Sequence, residues 1–260
     1  MKPKSKLSIF ALQQSSSRPG VTIVFTVFTL GYLLYLIAIR VINTQTTWLN
    51  MWRFRFEDYF MNNNAMGMTS YLIRSEIVFL ASLIVLVLVL SLAYVKVNKG
   101  IDTIKRLSIS DRSVRLMQWL SDCAYTLGMW LAHLTVIILF YIFNVLYYHS
   151  DQMDLNRLYT IFACERYLYM LFPIMNPLSL VRMLSLVIAI SFLPSLISGI
   201  IDNILEKTFS IRNLFAPILL IGLIGLSYFT PGHELSLIVC VIAMIVGVFC
   251  YEDHLQKEGV

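Results

Sequence analysis

Ile101, Ile104 and Leu107 recur at i, i+3 and i+6, which sets three apolar side chains along one face of a short helix. Lys99, Asp102, Lys105 and Arg106 fall on its other faces. The chemistry open to this set is docking. The apolar stripe can enter a groove on a soluble partner, and Lys105 and Arg106 can pair with acids beside it. Ser108-Ile109-Ser110-Asp111 then breaks that helix and offers N-cap groups to the next one. A second reading of the same residues is a basic cytoplasmic loop that only sets topology.

Ionisable residues inside apolar stretches are the other candidates, because a charge in lipid is costly and is kept for a reason. They are Arg40, Asp122, His133 and Arg182. His133 is the deepest, with Trp130 and Asn144 at helical spacings on the same stretch. His133 and Asn144 are read either as lining a substrate or proton path or as hydrogen-bonded packing residues. Asp122 lies near Arg115 and Gln118, where a structural ion pair is expected. Arg40 and Arg182 are expected to snorkel toward headgroups.

Enzyme signatures are missing. The sequence holds no HExxH, no GxSxG and no Walker A loop, so ATP is not bound by that route. His149-Ser150-Asp151 has the residue types of a hydrolase triad, but neighbours along a chain point in different directions. The cysteines, Cys123, Cys164, Cys240 and Cys250, form no CxxC pair and no cluster with His, so no metal is expected.

The elements that position these residues follow from composition. Of 260 residues, 58% are hydrophobic and 13% are charged, against roughly 25% charged in soluble domains. Such a chain must present apolar surface to lipid. The expected fold is an all-α integral membrane protein with six transmembrane helices, short interfacial helices and both termini cytoplasmic. The spans are read at residues 21–43, 77–97, 116–148, 178–201, 214–230 and 235–251, the last two as a hairpin turned by Pro231-Gly232. Residues 1–20 are read as a cytoplasmic interfacial segment and 21–260 as one transmembrane domain. No stretch is long enough for a soluble ATPase domain.

Orientation follows from the basic residues. With the N-terminus inside, Lys2, Lys4, Lys6, Arg18, Lys96, Lys99, Lys105, Arg106, Arg112, Arg115, Lys207, Arg212 and Lys257 are inner, thirteen in all. Arg40, Arg53, Arg55, Arg74, Arg157 and Arg166 are outer, six in all. The outer connection 44–76 mixes Trp48, Trp52, Phe54, Phe56 and Tyr59 with charges, and reads as an interfacial helix followed by a polar loop at Asn62-Asn63-Asn64. Residues 150–177 read as a second interfacial or half-inserted element, with Pro173 and Pro177 bracketing the fourth span.

The order of elements resembles the ABC-2 type permease family, the membrane subunits of type V-like ABC transporters. An interfacial segment precedes six spans, and a short basic helix at residues 98–115 joins the second to the third. Ile104-Lys105-Arg106-Leu107-Ser108-Ile109-Ser110, leading into a span with Trp119, is similar to that family's coupling-helix region. The resemblance implies a dimer of permease chains, a separate cytoplasmic ATPase carrying ATP and Mg, and export of a peptide, lipid or drug-like substrate. It covers the chain by topology and about 25 residues by local pattern. The family's re-entrant helices between spans five and six have no counterpart in the short Pro231-Gly232-His233-Glu234 connection. Other readings are a non-transporting membrane subunit (immunity, sensory or assembly partner) and a membrane-embedded enzyme. The cell membrane is the expected location, with lipids as neighbours and no nucleic acid.

Overall fold

The computed structural model describes residues 17–45, 64–99, 111–148, 162, 168, 177–205, 214–230 and 233–257. Among the described residues there is no strand. Helix α1 covers residues 17–45 and contains a π-helical turn at Val27–Gly31. Then come α2 (Asn64–Lys99), α3 (Asp111–Tyr148), α4 (Pro177–Leu205), α5 (Phe215–Phe229) and α6 (His233–Lys257).

These helices form because the apolar runs are long and rich in Leu, Ile and Val, and the chain breaks where polar and turn residues return. Pro177 stands at the first position of α4, where its missing N–H costs nothing. Pro194 lies inside α4, where it removes one ladder bond. Hydroxyls donate to carbonyls on either side of it, Ser191 to Ile188 at 2.7 Å and Ser198 to Ser195 at 2.7 Å, as apolar helices commonly arrange around a proline.

Among the described residues, five segments are long and apolar enough to cross a membrane: Ser17–Ala38, Ile77–Lys96, Arg115–Leu146, Leu178–Leu205 and Glu234–Tyr251. α5 has 15 residues, about 22 Å of helix, against a hydrocarbon core of about 30 Å. Burial supports lipid as the surrounding medium. On α1, Val24, Phe28, Tyr32 and Leu36 point inward. Ile23, Val27, Leu30 and Leu34 on the opposite face are 57–66% exposed. A helix apolar on both faces suits protein on one side and lipid on the other. These features are those of a multi-pass membrane protein.

The structure moves two boundaries. Residues 64–76, assigned to the outer connection, are helical and continuous with the second span, because α2 starts at Asn64. Residues 17–20, assigned to the interfacial segment, are already part of α1, with Pro19-Gly20 in helical conformation. The third segment is long as expected, since α3 has 38 residues. The hairpin is present: α5 packs on α6, and Ser236 donates a hydrogen bond to the Ser227 carbonyl at 2.7 Å.

The chain divides into two compact units. The first comprises Met1–Ile23, Leu83–Gly128 and Leu180–Val260. In it α3 is the common partner. Ser17 of α1 meets Tyr125 at 3.5 Å, and Cys123 donates to Ser191 of α4 at 3.0 Å. Trp119 stacks on Phe192 of α4 with centroids 5.5 Å apart. The second unit comprises Val24–Ser82 and Met129–Ser179. Its interior is aromatic, built from Phe28, Phe79, Trp130 and His133.

Candidate functional site: a buried polar cluster on α2, α3 and α6

In the first unit, Arg115, Gln118, Asp122 and Thr126 follow one another on α3 at spacings of three and four, so they share a face. All four are buried. Asp122 is completely enclosed. Its Oδ2 accepts a hydrogen bond from the Tyr94 hydroxyl of α2 at 2.7 Å. Its Oδ1 has no hydrogen-bond partner among the described residues. The hydroxyl of Tyr251, on α6, donates to the Arg115 carbonyl at 3.1 Å. The Tyr94 hydroxyl lies within electrostatic reach of both Arg115 and Tyr251.

Enclosing a carboxyl in an apolar bundle is costly unless it is bonded. Here the bond comes from Tyr94, in place of the Arg115 ion pair expected from spacing. The correction has a simple cause. Arg115 stands two turns before Asp122 on the same helix, while Tyr94 approaches from the neighbouring helix with its hydroxyl already at the right depth. A sequence signal existed: Ser91 and Tyr94 are the only polar side chains between Leu83 and Val95.

Arg182 is also corrected. It is 3% exposed, an enclosed residue of α4 within electrostatic reach of Cys240 on α6, and it does not extend outward to headgroups. Arg40 belongs to α1.

The residues singled out from the sequence fall in different places. Ile101, Ile104, Lys105, Arg106 and Leu107 lie outside the described residues, as do Cys164 and His149-Ser150-Asp151. The described helices stop and restart around the first set, α2 at Lys99 and α3 at Asp111. Asp111 is the position where the Ser/Asp stretch was expected to start a helix.

His133 and Asn144 both lie on α3 in the second unit, and both are buried. They are eleven residues apart, about 16 Å along the helix. The His133 ring stacks on Phe79 with centroids 4.5 Å apart and meets Phe28 at 5.8 Å. Trp130 meets the same Phe79 edge-on at 5.1 Å. Asn144 Nδ2 donates to the Phe140 carbonyl one turn back at 2.7 Å. Phe28 belongs to the π-helical turn of α1 and stacks on Tyr32 at 5.8 Å. Such turns re-aim side chains and often occur at functional positions. Nothing in the sequence signalled this one.

No group of three or more His, Cys, Asp or Glu that could hold a metal ion occurs among the described residues. Neither a protein-family model, nor a curated protein, nor a solved structure matches this chain.

Proposed function

We propose that this chain is the membrane-spanning permease subunit of an ABC exporter in the cell membrane. It moves a peptide, lipid or drug-like substrate with ATP hydrolysed by a separate cytoplasmic subunit. ATP and Mg are held on that partner, and a second permease chain completes the pathway. In this reading α5 is the sixth crossing, tilted or shortened with its α6 partner, and both termini are cytoplasmic by the excess of inner Lys and Arg.

One observation carries the reading. The stretch with the apolar stripe and basic flank joins two long helices directly, α2 ending at Lys99 and α3 beginning at Asp111. Only residues 100–110 lie between them. A partner seated on that stretch would act on both helices at once. The enclosed Asp122–Tyr94 pair between the same two helices adds support, because polar groups inside membrane bundles mark moving or conducting parts.

The test replaces Ile104 and Leu107 together by Asp. Each apolar side chain buried in a partner groove supplies about 1.5–3 kcal/mol before ordering costs. Loss of two such contacts should abolish co-purification of a Walker-type ATPase in mild detergent. Membrane insertion should persist, since neither residue lies in a span. Full ATPase association and export with both Asp residues in place would refute the docking role.

A further inference from the structure

Two hydrogen bonds of the first unit gather at the ends of α2 and α3. Tyr94 is five residues before the end of α2 at Lys99, about 7.5 Å of helix. Asp122 is eleven residues into α3, about 16 Å from its start at Asp111. Beyond this bond, α3 therefore extends about twice as far as α2 toward the connecting stretch. Arg115 sits on that extension, and its carbonyl takes the second bond, from Tyr251 of α6. Each bond thus ties a different neighbour to the same arm of α3.

We propose that the Tyr94–Asp122 bond, together with the Tyr251–Arg115 bond, is a latch that couples displacement of the α2 and α3 ends to the membrane-spanning bundle. This rests on the permease reading, and names the residues that would pass on a partner's push. The latch suits that task because it is incomplete. Asp122 is fully enclosed, and only one of its oxygens is bonded among the described residues. A fully satisfied buried network rigidifies a core, whereas a partly satisfied one can be remade. Each bond contributes little net free energy, so partner binding is strong enough to alter it. Tyr94 and Asp122 are positioning residues here. They hold the helices in register.

The experiment compares Tyr94→Phe, Asp122→Leu and Asp122→Asn with the unaltered chain. Asn keeps an oxygen that can accept from Tyr94, so it is the conservative variant. The first readout is amide hydrogen exchange of the purified chain in mild detergent. Protection at residues 94–99 and 111–122 should fall by about 2- to 10-fold in Tyr94→Phe and Asp122→Leu, the equivalent of one hydrogen bond. Asp122→Asn should stay near the unaltered chain. The second readout is export per ATP hydrolysed in vesicles with the co-purified ATPase. It should fall in the first two variants while ATPase association persists, and should recover in Asp122→Asn. Unchanged exchange in Tyr94→Phe and Asp122→Leu overturns the latch. Altered exchange with unchanged export per ATP overturns its transmitting role. Loss in Asp122→Asn with normal behaviour of Tyr94→Phe also overturns it, since the carboxylate would then act without the bond. If no ATPase accompanies the unaltered chain, the permease reading and the transmitting role fall together, and the exchange data alone decide whether the bond holds the helix ends.

Discussion

Gly247 offers the sharpest perturbation of the first unit, because a methyl group there meets a ring that has nowhere to go. A Cβ on Gly247 of α6 would lie 2.7 Å from Cδ2 of Phe192 on α4, with Cε2 and Cγ at 3.4 and 3.5 Å. Ordinary contact requires the ring to retreat by about 0.7 Å, from 2.7 to 3.4 Å. Phe192 is 4% exposed. Trp119 stacks on it at 5.5 Å and 16°, and Tyr251 meets it at 5.3 Å and 44°. Any retreat therefore disturbs a neighbour. Overfilling a packed core in this way costs about 1–3 kcal/mol. Replacing Gly by Ala in a helix returns up to about 1 kcal/mol. With the full return, Gly247→Ala should accordingly lose up to about 2 kcal/mol net, and should stand about 1–3 kcal/mol below an unobstructed Gly→Ala change. Gly222 and Gly225 of α5 are the internal controls, since nothing stands within 4 Å of a methyl at either. Gly222→Ala should be neutral or gain up to about 1 kcal/mol. Thermal unfolding in one detergent should rank Gly222→Ala at or above the unaltered chain and Gly247→Ala below it. The separation between the two variants should be several degrees, at about 2–4 °C per kcal/mol for chains near this size. Phe192→Leu should rescue Gly247→Ala by removing the ring edge. Equal melting of Gly247→Ala and Gly222→Ala would refute the reasoning, because it would mean that Phe192 yields freely and that the Trp119–Phe192–Tyr251 stack is not rigid.

Two further outcomes follow from the packing. Phe79→Ala should be the most damaging truncation in the second unit, approaching the ~3–5 kcal/mol range for large aromatic cavities, since Phe79 is fully buried against His133, Trp130 and Phe28; melting in detergent, with Phe79→Leu as the milder control, checks it. Ser236→Ala removes the side-chain bond from α6 to the Ser227 carbonyl of α5 and should cost about 0.6 kcal/mol, typical of hydrogen bonds between membrane helices; a loss above about 2 kcal/mol on the same melting assay would show that the hairpin relies on that bond far more than such contacts usually allow.

The parts of this fold that were legible in the sequence are those set by one-dimensional quantities. The length and apolarity of a run decide whether it becomes a long helix, so α4, α5 and α6 fall close to the spans read at residues 178–201, 214–230 and 235–251. The starts of α1 and α2 were misplaced for a related reason. Apolarity marks where lipid begins, while backbone hydrogen bonding continues through polar residues such as Asn64, Thr69 and Ser70 as long as each residue tolerates helical geometry. A helix can therefore outrun its apolar window, and hydropathy alone has no term for the difference.

Sites behave differently, because they are made of pairs that sequence spacing does not record. On one helix, spacing is informative: Asp122 was read as lying near Arg115 and Gln118, and all three are buried. What spacing could not supply was the partner from another helix. Tyr94 stands 28 positions before Asp122, and the depth at which its hydroxyl meets the carboxyl depends on how α2 lies against α3. The Arg115 ion pair was favoured because it was the nearest charge along the chain. In a bundle, nearness along the chain is a weak guide. Two turns of helix separate side chains by about 10 Å, whereas a hydroxyl on the adjoining helix can sit at hydrogen-bond distance. The same reasoning covers Gly247 and Phe192, which are close only because α6 lies on α4 at that level. A buried amide or hydroxyl can bond to a carbonyl of its own helix, as Asn144 does with Phe140 and Ser198 with Ser195, whereas a carboxyl needs a donor, and Asp122 finds one on the next helix. For this chain, the residues that decide function are therefore best sought where an enclosed polar side chain of one helix meets a hydroxyl of the next.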